Sequence, residues 1–169
     1  ITWMQFIYAP ALLYVTENPA NPDKGSRKVL EMALKAGDYL ASIVGTDGEV
    51  RPTVNGRPAD ALDAHRTIYC WGEAYGLLEK HLDAKRKKTW SEALLRAGKA
   101  ILEREVIPKI DRPRYTSPFL GFSPNHMGLR TSTVWRLGRL LNQPEWVEIT
   151  EPALRKFIAE IQPGGYWEE

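Results

Sequence analysis

The sequence predicts an all-α fold of antiparallel helical hairpins forming part of an (α/α) toroid, and three observations lead there. Apolar residues recur at helical spacing through most of the chain. Short turns alternate with longer loops rich in Asn, Arg, Pro and aromatic residues, which suits stacked hairpins whose long loops gather on one rim. No fixed sequence period repeats, so a curved or closed array fits better than a consensus solenoid. The hairpins are too few to close a toroid. Residues 1–169 are therefore expected to form a single helical domain, a piece of a larger catalytic toroid whose remainder is missing.

A first helix is expected over Thr2 to Val15, with Pro10 kinking or splitting it. Asn and Pro make 17–25 a loop. Ser26 is placed to cap a second helix whose stripe is Val29, Ala33, Ala36, Leu40 and Ile43, with Gly45, a residue tolerant of positive φ, ending it. Asp47-Gly48 and Asn55-Gly56 flank Val50 to Val54, a small β-excursion or an ordered loop. Asp60 or Asp63 starts a third helix carrying Ile68, Trp71, Tyr75, Leu78 and Leu82. Asp83 caps a fourth, with Trp90, Leu94, Ala97, Ile101 and Val106 on one side and Pro108 closing it.

A long loop covers about 109–122. Ser123-Pro124 then opens a fifth helix with Met127, Val134, Leu137 and Leu141, broken by Asn142-Gln143-Pro144. A sixth is expected from Thr150, with Leu154, Phe157, Ile158 and Ile161 inward, ending at Pro163-Gly164-Gly165.

Bulk properties exclude several function classes. The chain has 169 residues, 43% of them hydrophobic, and a net charge of +2, with no massed basic segment to indicate nucleic acid. Lys85-Arg86-Lys87-Lys88 reads as a solvated face. No apolar run reaches the ~18 residues of a membrane span, and no signal peptide is visible. A lone Cys70 forbids an internal disulfide and leaves the compartment open. Metal-ligand spacings and a glycine-rich phosphate loop are absent, so no cofactor or metal is expected.

Three segments carry candidate chemistry. In Ser123-Pro124-Asn125-His126, the last two residues fall in a helix's first turn, where backbone N–H groups lack partners and the dipole is positive. Asn125 offers an amide donor, His126 a titratable ring, and Arg130 a guanidinium one turn on, a set suited to a carboxylate. The bland alternative is that Asn125 and His126 only tie down the preceding loop. In the second segment, His65, Arg66 and Tyr69 share part of a helix face after the other long loop; the alternative is an ordinary helix start, with Trp71 in the core. The third is Gly164-Gly165-Tyr166-Trp167-Glu168, where aromatic faces could stack on sugars and Glu168 could bind hydroxyls, or where Trp167 packs under a plain connecting loop.

A hairpin array with Ser-Pro-Asn125-His126 opening one helix and Gly-Gly-Tyr166-Trp167-Glu168 following the next resembles the toroidal polysaccharide lyases, the alginate lyase and heparinase II/III-like enzymes. The resemblance is one of pattern over about residues 26–169. It implies β-elimination at a uronic acid of an acidic polysaccharide such as alginate or glucuronan, and a periplasmic or secreted setting. In such a reaction the C5 proton leaves only if the adjoining carboxylate is neutralised. The resemblance gives that part to Asn125, with His126 sharing it or acting as base, and substrate binding to His65, Arg66, Tyr69, Arg130, Tyr166, Trp167 and Glu168. The resembling enzymes protonate the leaving oxygen with a tyrosine well downstream. This chain ends too soon to supply it, Tyr166 being a weak stand-in, so the piece alone is expected to be inactive. Two other readings stand beside it: a glycoside hydrolase on an α/α toroid, and a non-catalytic helical scaffold that binds a protein or glycan.

Overall fold

The structure, a computed structural model, describes residues 6–54, 57–58, 64–110 and 124–159. The fold is all-α. In chain order come α1 (Tyr8–Val15), α2 (Arg27–Ile43), α3 (Ala64–Leu78), α4 (Ala84–Ile101), α5 (Pro124–Leu140) and α6 (Pro144–Ala159). Between α2 and α3, β1 (Thr53–Val54) pairs antiparallel with β2 (Arg57–Pro58), and Val44 bridges Val50, so the small β-excursion is present. No helix among the described residues is long and apolar enough to cross a membrane.

Cross-contacts give the helix directions. Leu137 lies against Gly72 and Leu140 against Gly76, so α3 and α5 run parallel. Arg86 and Trp90 meet Asp38, while Arg96 Nε donates to the Gly45 carbonyl at 3.2 Å, so α2 and α4 run parallel too. Phe157 covers Gly128 and Trp146 covers Gly138, so α5 and α6 are antiparallel. The odd helices thus form one row, α1 on α3 on α5, and α2 packs on α4 behind it. The core lies between the rows. Trp71 and Trp90, both fully buried, meet there edge to face with ring centroids 6.1 Å apart.

Local chemistry sets the boundaries. Asp83 caps α4 as expected, accepting from the Arg86 N–H at 2.8 Å. The end of α4 runs on through a π-helical turn, Leu102–Val106, and a tight 3-10 turn that holds Pro108, so the proline does not close the helix directly. Pro124 is the first residue of α5, as expected; Ser123 before it lies outside the described residues.

Several expectations need correction. Pro10 falls in the first turn of α1, where its missing N–H has no intrahelical partner to lose, so it does not split the helix. Ser26 holds the cap position of α2 with extended backbone, but its hydroxyl makes no capping bond. Positive φ occurs at Gly48, +80°, and not at Gly45, because the chain leaves α2 by an extended Val44. The sixth helix starts at Pro144, not Thr150. Asn142 in the left-handed region (φ 54°) lets the Gln143 N–H reach the Gly138 carbonyl at 2.8 Å, which closes α5 and leaves Pro144 ready as a first helical residue. Thr150 is therefore interior, its hydroxyl donating to the Trp146 carbonyl at 2.6 Å, and Pro152 sits inside α6. Ile158 is 64% exposed rather than inward, because the packed face of α6 is Trp146, Thr150 and Phe157. The expected helix starts at Asp60 or Asp63, the Asn55-Gly56 turn, the 111–122 loop, Ile161 and Pro163-Gly164-Gly165 lie outside the described residues.

Candidate functional site

Because α3 and α5 are parallel, their N-termini come to one end of the molecule. His65 is the second residue of α3; Asn125 and His126 are the second and third of α5. The structure therefore brings together two segments that are 61 positions apart by residue number, His65 to His126, with ring centroids at 5.5 Å and planes tilted by 54°. The Thr133 hydroxyl also reaches the His65 carbonyl at 3.4 Å, fixing the α3 start against α5. Two positive helix ends side by side make this spot favourable for an anion.

The two imidazoles are not equivalent. His65 is 3% exposed, too buried to meet a substrate broadly, whereas His126 is half-buried and accessible. His65 therefore backs His126 instead of lining an open rim. Arg66 and Tyr69 are half-buried further along α3. Tyr69 lies one helical turn after His65. It lies near Glu73, and burial, reinforced by the Glu73 charge, raises its phenol above the usual range.

Arg130 already has a partner: its Nε lies 2.5 Å from Glu105 Oε2 in an ion pair, and its side chain is mostly buried. Glu105 belongs to the π-helical turn that ends α4. Such turns carry no sequence signature, so Glu105 was invisible in the sequence, although π turns often mark functional positions. The same end is tied down from the other side, where Arg104 pairs with Glu49 and Arg51 with Asp47 in the loop after α2.

A polar cluster that the sequence did not single out lies on the odd row. Arg136 of α5 grips Glu73 of α3 with two bonds, Nε to Oε1 at 2.5 Å and Nη2 to Oε2 at 3.2 Å. That pairing raises the Arg136 guanidinium further above its already high range. Cys70 is half-buried, with its thiol pushed up by burial, so it is poorly set to act as a nucleophile. Trp71 is core, as expected. Tyr166, Trp167 and Glu168 lie outside the described residues. Among the described residues, no group of three or more His, Cys, Asp and Glu is placed to hold a metal ion. Compared with known proteins, the chain matches no family model, no curated protein and no solved structure.

Proposed function

We propose that the chain belongs to a polysaccharide lyase that cleaves a uronic-acid polymer by β-elimination, within a helical array of the (α/α)-toroid kind. One observation carries this reading: the first turns of α3 and α5 meet, setting His65 against His126 at 5.5 Å, with Asn125 the residue before His126 in α5. The physical fit is as follows. A uronate carboxylate placed at the paired helix ends meets two positive dipoles. Asn125 adds a neutral amide. Charge spreading from C5 into the carboxylate is then stabilised where it develops. His126, the accessible imidazole, takes the C5 proton; as the C4–O bond breaks, its electron pair goes to the oxygen, which takes a proton from water. His65 packs behind it and holds the ring.

Elimination leaves a C4–C5 double bond conjugated to the carboxylate, which absorbs in the ultraviolet; hydrolysis of an intact polymer does not. The test is the whole protein that carries residues 1–169, incubated with alginate, glucuronan and heparan-type polymers while absorbance is followed. Rising absorbance that Asn125→Ala cuts by about a hundredfold, the scale of one lost oxyanion donor, supports the reading. Reducing ends without absorbance would move the chain to the hydrolases. Tight binding without either product would make it a glycan-binding scaffold.

A further inference from the structure

The strongest feature outside the histidine pair is the Glu73–Arg136 cluster. We infer that Tyr69, Glu73 and Arg136 form a second sugar position, which takes a pyranose ring through two neighbouring hydroxyls and not through a carboxylate. The inference rests on the uronate-polymer reading for its class of ligand, and on residues that the elimination chemistry does not use.

Three considerations support it. First, the ion pair is not needed to join α3 to α5, since Leu137 already packs on Gly72 and Leu140 on Gly76. It lies off the buried face of α3, which is Trp71, Ala74 and Leu78. The side chains of Arg136 and Glu73 keep 36% and 18% of their surface open. Second, the pairing cancels charge, so an anion gains little there. Both partners nonetheless keep unused valences: each carboxylate oxygen can accept again, and the guanidinium has N–H groups left over. A vicinal diol satisfies both at once, donating to Glu73 and accepting from Arg136. The bidentate grip fixes the two groups in one plane before the ligand arrives, which lowers the ordering cost.

Third, Tyr69 precedes Glu73 by one helical turn and follows His65 by one, about 6 Å each way along α3. A polymer seated at His126 and running along α3 would present its neighbouring ring here. The half-buried phenol gives an apolar face for the ring's C–H groups, and its hydroxyl is a donor at neutral pH. Tyr8 of α1 contributes to the field at both Tyr69 and Arg136, and α1 packs on α3.

The test is titration calorimetry of this protein with a glucuronan tetrasaccharide and with the same tetrasaccharide after reduction of its carboxyls to alcohols. Glu73→Gln and Arg136→Gln should each weaken both ligands by about tenfold, the scale of a lost charge-assisted hydrogen bond. Tyr69→Ala, which leaves the ion pair intact, should weaken both as well. Asn125→Ala should weaken the uronate ligand alone. If the elimination reading fails but this one holds, the reduced sugar still binds in a Glu73-dependent way and Asn125→Ala changes neither ligand. Unchanged affinities in Tyr69→Ala and in folded Glu73→Gln would reduce the cluster to an interhelix ion pair and overturn the inference. So would a wild-type protein that binds neither tetrasaccharide. Circular-dichroism melts of each variant separate lost binding from lost fold.

Discussion

At the scale of single residues, the contact between Gly37 and Trp90 decides how closely α2 and α4 approach. The Trp90 ring is fully buried, and its Nε1 donates to Asp38 Oδ1 at 3.0 Å. A Cβ at position 37 would lie 2.1 Å from Cζ2 of that ring. Alanine normally strengthens a helix interior by up to ~1 kcal/mol relative to glycine. Here the overlap wins, because the indole is held on its far side by core and on its edge by Asp38. Gly37→Ala should destabilise the chain by about 1–3 kcal/mol, the cost of overpacking, as read by urea denaturation. A stabilised variant would show that the two helices can part freely. Glu105 makes a second residue-scale case. It holds the Arg130 guanidinium that a uronate would otherwise attract. If the anion site is where the histidines place it, Glu105→Gln should tighten binding of a uronate oligosaccharide and steepen its salt dependence. An unchanged affinity would put Arg130 outside the site.

At the scale of elements, helix ends carry the testable chemistry. Asp83 accepts from the Arg86 N–H, and that bond, with the Arg86 side chain beside it, holds its carboxyl below the ordinary carboxylate range. The folded value is the depressed one, so the unfolded chain binds the proton more readily. The cap's contribution is then complete above the usual carboxylate range and is lost as pH falls through the lower, folded value. Asp83→Asn keeps an acceptor and removes the titration, so its melting temperature should change less between pH 6 and pH 3 than that of the native protein. Parallel curves would exclude Asp83 as a source of acid sensitivity. Pro152 offers the opposite kind of test. It is exposed and interior to α6, where its ring displaces one backbone bond. Pro152→Ala should restore that bond and raise stability by roughly 1–3 kcal/mol, since interior proline costs ~3 kcal/mol. These ends also show what the sequence could tell. The Asp83 cap and the Pro124 start depend on side chains next to them in the chain, and both were legible. The α6 start was not: Thr150-Glu151-Pro152 mimics a helix start, while the true signal needed left-handed backbone at Asn142, which a non-glycine residue seldom announces.

At the scale of the whole molecule, helical periodicity predicted the elements and the hairpin order but not which side chains from distant helices would meet. Local sequence marks His65 and His126 separately, and their approach follows only from α3 and α5 being parallel. Glu73 with Arg136, and Glu105 with Arg130, carry no local signal at all, because each pairs across helices far apart in sequence. The same architecture sets how the molecule should open. Hairpins packed chiefly on their sequence neighbours form a quasi-linear array, and an array loosens from its ends. The α5–α6 hairpin meets α4 closely at Gly98, where a Cβ would lie 2.6 Å from Trp146 and 3.0 Å from Leu137. Trp146 is 8% exposed and also covers Gly138, so it joins α6 to two other helices at once. Trp146→Ala should cost about 3–5 kcal/mol locally. Under native conditions its amide exchange should quicken most in α6, then in the second half of α5, and least in α2 and α3. If protection instead falls equally in all six helices, the core opens as one cooperative unit and the hairpins have no separate stability.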